Sequence, residues 1–427
     1  MKTVLLKVKF FSLIFVLSFL FNTGTMAQTK SPIKGVPDIQ SAGALEFSPD
    51  GILFVGDWVG AAIFAFDLGE GNDEILPEML TVDSEDIDNI DLRIAEVVGA
   101  SRGQITINDI AVHPKTQETY FSVTRGHGLK SRPAIIKLDH QGNLINIRLA
   151  KLKFTKQILH DVPDGKKQFN VRGFFGPPTE KIKAKAKVSM KTLAILDIEY
   201  YKGELFVAGI SNEEFSSTLR RIPYPFTGKY GSSQIKVYHV VTDSYISRAP
   251  IRALVVTQVN GKDYLIAGYS CTPIVIIPLD KLKDGAHVKG RTVAELGPGH
   301  PLDMFIYKSD GKENIVISDL GNTTRIISVK ELVAGKALTK KDYGKGFNVN
   351  YREGVQGSSY PMFGVPLQMD IMKVKTMLKG MPMETSNLFV GVARDPYTGN
   401  LNYQRYFPFL GIQVSMAYGE PDFPGGE

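Results

Sequence analysis

Acidic residues that could hold a cation or move a proton recur at the heads of hydrophobic strands in this chain. Asn108 and Asp109 open the stretch NDIAVHPKTQETYFSV, Asp197 opens DIEYYKGELFVAGI, and Asp303 opens DMFIYKSDGKENIVISD. An acid entering a buried strand is unfavourable unless something compensates for it. Three compensations are open. Arg252, with Arg125, can neutralise the acids in a buried network. A hard ion, Ca²⁺ or another divalent cation, can be held by Asn108, Asp109, Asp197 and Asp303, whose oxygens suit it. Alternatively one carboxyl, with Asp197 as the candidate, keeps its proton and serves as a general acid or base.

Other candidates surround these acids. His127 in TRGHG and His300 in GPGHP are the histidines available to a base or a metal, although no HxH or HExxH spacing joins them. Cys271 in GYSCTP is a nucleophile only if a histidine lies beside it, and otherwise a buried apolar residue. Asp57 and Trp58 (GDWVG), Arg125, Asn212 and Glu213 (GISNEEFSS), Arg252 and Tyr269 are the candidate ligand-binding residues.

The elements that must position these residues repeat along the chain. Segments beginning at Ala44, Asp109, Asp197, Arg252, Asp303 and Gln368 share one grammar: an alternating strand, a polar turn such as SPDG, NGK or SDGK, a second strand, a longer loop and a third strand. One such unit cannot bury both of its faces, so the copies pack around an axis. The expectation is an all-β fold, a six-bladed β-propeller with seven blades as the alternative count, and fourth strands near 142–149, 233–241 and 291–296. The loops entering each inner strand then gather on one face of the ring, which brings Asp109, Asp197, Arg252 and Asp303 together.

Two insertions interrupt the repeat. Residues 82–101 carry one short helical insertion, with acids at its start and an apolar stripe of Ile90, Ile94, Val97 and Val98, expected to cap the propeller surface. Residues 161–191 form a lysine-rich loop. Upstream, a basic MKTVLLKVK, an apolar FFSLIFVLSFLF and the small-residue site ending at Ala27 read as a secretory signal peptide over residues 1–27, followed by a short segment at 28–42 and a single propeller domain from 43 to 427. The protein is therefore expected to be periplasmic or secreted, without stable membrane insertion after cleavage. The formal charge is +6, but Lys2, Lys7 and Lys9 belong to the leader, so no nucleic-acid partner is expected. A lone cysteine excludes an intramolecular disulfide or a cysteine-built metal clip, and no CxxCH, GxSxG or P-loop pattern occurs.

The segments INDIAVHPKTQETYFSV and ALEFSPDGILFVGD resemble the blade openings of NHL-repeat and gluconolactonase/regucalcin-like propellers. The lactonase-like resemblance implies a divalent cation in the central funnel, with Asn108 and Asp109 and either Asp197 or Asp303 as ligands, activating water for ester opening. The Glu expected in the first blade is replaced by Gly43-Ala44, and no Asn-Gly-Leu strand start is present. The NHL resemblance implies a binding platform. The leading expectation is thus an exported propeller that binds a small molecule, glycan or protein partner on its central polar face. The alternative is a divalent-cation-dependent hydrolase or lyase using the Asp residues.

Overall fold

The computed structural model describes residues 29–406, apart from 71–73, 78–85, 127–131, 171–186, 213–216, 248, 271–272, 298–299, 310, 321–323, 343–351, 361–363 and 377–383. The leader, His127, Glu213, Cys271, much of the basic loop and the end of the chain lie outside the described residues.

Hairpin chemistry sets the local structure. In VNGK, Asn260 and Gly261 have φ of +50° and +74°, and in YKGE, Lys202 and Gly203 have φ of +48° and +84°. Both pairs adopt the left-handed two-residue turn whose twist matches that of the flanking strands. The strands they join are packed on both faces, so Leu205 to Ile210 and Leu265 to Tyr269 are buried without a polar interruption.

The chain is an all-β propeller, and its described strands form six blades. The inner strands are Leu45–Phe47, Ile105–Val112, Asp197–Tyr201, Ile251–Val259, Pro301–Ser309 and Val365–Thr376, which number blades 1 to 6 in chain order. The expected fourth strands are present as Leu144–Asn146 in blade 2, Gly231–His239 in blade 3 and Ala286–Leu296 in blade 4. The outer strands of blades 3 and 4 pair in parallel, from Ser233 with Ala286 to Val237 with Gly290, which joins the two blades into one continuous sheet.

The blades do not follow the ring in chain order. The inner strand of blade 1 touches those of blades 2 and 3, and the inner strand of blade 6 touches that of blade 2, giving the circular order 2, 1, 3, 4, 5, 6. Blade 1 explains this. After Ile52–Asp57 and Ala62–Asp67 the chain leaves, builds all of blade 2, and returns with Lys153–Ile158 to pair with Ala62–Asp67. Thr29–Lys34 then adds on the outside of Lys153–Ile158. A repeat-by-repeat reading misses this, because local strand grammar does not record which blade receives the returning strand.

The helical insertion was expected to cap the propeller surface, but the structure packs it into a seam between blades. Helix Ile90–Val97 is wedged between blades 2 and 6, with Ile90, Ile94 and Ala95 buried beside Ile105, Phe121, Val390 and Tyr403. Just before it, Ile87 exchanges two backbone hydrogen bonds with Tyr403, of 2.8 and 2.9 Å, extending the edge of the three-stranded blade 6. The Tyr403 hydroxyl reaches Thr119 of blade 2 at 2.7 Å. Ring closure between the last blade and the inserted blade therefore uses a buried polar pair. Tyr403→Phe should lower stability by about 1 kcal/mol, seen as a lower urea midpoint with an unchanged slope.

Candidate functional site

The inner strands of blades 2, 4, 5 and 6 each carry one extra residue near their start: Asn108, Arg252, Leu302 and Leu367 lie at register shifts in the pairing with the second strand. Such a bulge bends the strand and re-aims the next side chains. In blades 2 and 5 the next residue is Asp109 or Asp303.

Each of these acids joins two blades. Asp109 accepts the N–H of Ile110 on its own strand at 2.9 Å and that of Leu45 on blade 1 at 2.7 Å. Asp197 accepts Ile198 at 2.8 Å and Leu254 of blade 4 at 2.7 Å. Asp303 accepts Met304 at 2.8 Å and Met369 of blade 6 at 2.5 Å. Asp370, one tier lower, accepts Ile371 at 2.7 Å and Val112 of blade 2 at 2.6 Å. Glu199 accepts Val256 of blade 4 in the same way. The acids point around the ring in one direction, from each blade to the next.

Electrostatics at the axis follow from this crowding. Burial first, and then the Asp303 charge, pushes Asp109 and Asp197 well above the ordinary carboxylate range. Burial and then the surrounding acids, led by Glu199, do the same to Glu46. Burial raises Glu199 to about 8, Asp303 to about 7 and Asp370 to about 6. Arg252 is itself buried, which lowers its pKa, and it partly offsets the rise at Asp303.

Two cavities meet at this floor. An upper one of about 310 Å³ is walled by Trp58, Asn108, Arg252, Gln368 and Arg394. A lower one of about 540 Å³ is walled by Glu46, Glu199, Asp370 and Glu313. Asp109, Asp197 and Asp303 line both.

Comparison with known proteins adds little to this geometry. No family model matches the chain, and no curated protein does. Among solved structures it is similar to the plexin A4 extracellular region, at 8% identity and a TM-score of 0.34, covering 89% of this chain and 47% of that one, so the chain spans about half of the plexin region. It is also similar to two glucose dehydrogenase structures at 12% identity, with TM-scores of 0.31 and 0.30, each covering 88% of this chain and 99% of the other.

The expected site residues divide into two groups. Asn108, Asp109, Asp197, Arg252, Asp303 and Trp58 do meet at the axis. Each Asp oxygen of the set takes one backbone N–H, and among the described residues no three His, Cys, Asp or Glu side chains are placed to hold one metal ion. Asp57 is fully buried and accepts from Gln40 N, Ser41 N, Ser41 Oγ and Gly60 N at 2.7 to 3.0 Å, which anchors the turn that carries Trp58. Arg125 bonds the carbonyl of Gly99 at the surface, and Tyr269 is buried in the core of blades 3 and 4. Asn212 lies in a groove on the flank of blade 3, and His300 is partly buried in the loop entering blade 5. Glu46, Glu199 and Asp370 were not anticipated. Glu199 stands two residues after Asp197, on the same strand face, so the two-residue period was the signal that pointed to it.

The raised acids fix the sign of a pH effect. Their pKa values are higher in the fold than the ordinary values near 4, so the folded state binds more protons between about pH 4 and the folded values of about 6, 7 and 8. The stability they contribute is complete at the acid end of that window and is lost as pH rises through it. The melting temperature should fall between about pH 5 and about pH 8.5, and Glu199→Gln should flatten the alkaline part of that fall. A melting temperature that rises over this range would contradict the assignment.

Proposed function

We propose that this chain is an exported, ligand-binding propeller whose upper cavity takes a small polyhydroxylated molecule of the sugar class. The observation that carries this reading is the setting of Trp58. A Cβ added at Gly43 would lie 2.6 Å from Cε3 of the Trp58 ring, so the indole is pressed against the Gly43 backbone and held as one wall of the cavity. Opposite it the cavity is rich in acceptors. Asn108 directs its amide N–H groups to Ala42 O and Thr124 Oγ1, and Gln368 directs its own to Asn108 O, so the polar ends that remain are carbonyl oxygens above the carboxyl floor. A rigid aromatic wall facing acceptors suits a ring with C–H groups on one face and hydroxyl donors around its edge. Arg252 and Arg394 add donors for the ligand's own oxygens.

The NHL-like blade openings support the platform reading. The lactonase-like alternative would use Asp109, Asp197 and Asp303 on a cation, yet their oxygens are engaged by inter-blade N–H groups.

Trp58 is the only tryptophan in the sequence, so fluorescence excited selectively at tryptophan reports this cavity alone. Titration with a panel of monosaccharides, sugar acids and cyclic polyols should give a saturable change for at least one member, and Arg252→Ala should weaken it at least about tenfold, the effect of losing one charge-assisted contact. No response across the panel, or an undiminished response in Arg252→Ala, would count against the reading. Gly43→Ala should displace the indole and shift the emission maximum of the ligand-free protein, with weaker binding of the same ligand.

A further inference from the structure

The upper cavity takes its shape from the bulges of the inner strands. Asn108, Arg252, Leu302 and Leu367, the residues at the four register shifts, all line it. A bulge re-aims the side chain it inserts, so the wall at each of these blades is set by one extra residue: polar on blades 2 and 4, apolar on blades 5 and 6. The circular order 2, 1, 3, 4, 5, 6 then fixes what faces what. Blade 1, which carries Trp58, stands opposite blade 5, which presents Leu302. The two neighbours of blade 5 carry Arg252 and Arg394. The indole therefore looks across the cavity at an apolar wall with a guanidinium from the blade on either side.

The acids nearby are engaged with backbone. Asp109, Asp197 and Asp303 each accept two N–H groups, and Arg252 acts electrostatically on Asp303 beneath it. Asp395, beside Arg394 in sequence, accepts the N–H groups of Tyr397 and Thr398 at 2.7 and 3.1 Å. Arg394 is exposed, opposite Val365 at the very start of the inner strand of blade 6, and makes no ion pair with a described carboxylate. A neutral hydroxyl satisfies the N–H donors of two arginines but leaves their charge unanswered. A carboxylate answers both, and its paired oxygens match the guanidinium fork. Burial favours the neutral form of the three floor carboxyls, which lowers their repulsion of one incoming negative charge. The greater charge of a phosphate is a poorer match above three acids. At about 310 Å³ the cavity is at the small end of ligand pockets and suits a single ring with its substituents.

We propose that the ligand of the upper cavity is a sugar acid, one polyhydroxylated ring bearing one carboxylate. The ring lies against Trp58, its hydroxyls donate to the carbonyl oxygens of Asn108 and Gln368, and the carboxylate points across the cavity to Arg252 and Arg394. This rests on the sugar-class reading above and narrows it. Arg252, beside the floor, meets whatever enters, whereas Arg394, at the rim, reads the carboxylate and sets the specificity.

The test is a titration of Trp58 fluorescence, excited selectively at tryptophan, with glucuronate and galacturonate, their methyl esters, glucose and galactose, and glucose 6-phosphate. At least one uronate should bind at least about tenfold more tightly than both its parent sugar and its methyl ester, the factor expected of one charge-assisted contact. Arg394→Gln should cost the uronate more than the parent sugar and cut that preference to about threefold or less. Equal affinity for uronate, ester and parent sugar would overturn the proposal and leave the sugar-class reading standing. Tighter binding of glucose 6-phosphate than of either uronate, or a preference that survives in Arg394→Gln, would overturn it too. No response to either uronate would do the same, and silence across the wider panel would take the sugar-class reading with it. The melting temperature of Arg394→Gln checks its fold, and if that variant does not fold, the ester comparison on the unchanged protein decides.

Discussion

A carboxylate shared between the N–H of its own strand and the N–H of the neighbouring blade is the interaction on which this propeller depends. The inner strand of a blade is a sheet edge, and an edge leaves a row of N–H groups without ladder partners. At the axis those groups would be buried, where an unpaired donor costs about 1–3 kcal/mol. Asp109, Asp197, Asp303 and Asp370 each satisfy one such group on the next blade while holding one of their own. The same bond therefore caps an edge and sets the angular register of two blades. Its consequence is a core of crowded acids: burial and then neighbouring charges raise the pKa values of Asp109, Asp197 and Asp303, and burial alone raises that of Asp370.

The latch is not uniform around the ring, and the exceptions show what else holds the seams. Between blades 4 and 5, Ala253 occupies the position equivalent to Asp109 and Asp303, and the seam is joined instead by the Thr257 hydroxyl donating to Glu313 at 2.7 Å. Between blades 1 and 3, Glu46 and Glu199 repel, and apolar packing of Ile195 and Ile198 against Gly56 does the joining. Blades 3 and 4 have the opposite arrangement, with two carboxylates at the axis and paired strands at the rim. Inserting blade 2 within blade 1 also moves ring closure. The seam that closes the ring lies between blades 6 and 2, and it is held by Asp370, by Gln117 accepting from Lys373 N, by Gln368 donating to Asn108 O, and by the wedged helix.

The repeat, the all-β class and the acids heading the strands were legible because each rests on local chemistry: two-residue periodicity, turn residues such as Asn260-Gly261, and a charge where a buried strand begins. The convergence of Asp109, Asp197 and Asp303 was legible too, since equivalent positions in a closed repeat must meet. Their partners were not. A backbone N–H on another blade leaves no mark on side-chain composition, so arginine, metal and proton were the compensations that residue types alone suggested. Glu46, Glu199 and Asp370 escaped notice because each is third in its repeat segment rather than first; Asp109 and Asp303, first in theirs, in fact lie inside Ile105–Val112 and Pro301–Ser309. The blade order was hidden for a related reason. Lys153–Ile158 reads as an ordinary strand, and only its pairing with Ala62–Asp67 shows that it belongs to a blade begun far earlier.

The upper and lower cavities are two faces of one floor. Asp109, Asp197 and Asp303 line both, and in each burial and nearby charge favour the neutral carboxyl while two N–H donors favour the ionised one. Positive charge introduced below the floor favours ionised carboxyls, which are acceptors only. A low pH favours neutral ones, which also present an O–H donor to whatever lies above. The set of hydrogen bonds offered to an upper ligand therefore depends on the charge state of a group the ligand shares with the cavity beneath. By thermodynamic reciprocity, a molecule that bound above and preferred one charge state, and a cation that bound below, would shift each other's affinity by the same factor. No moving part is required for this coupling: the carboxyls that fasten the blades together are themselves the shared element.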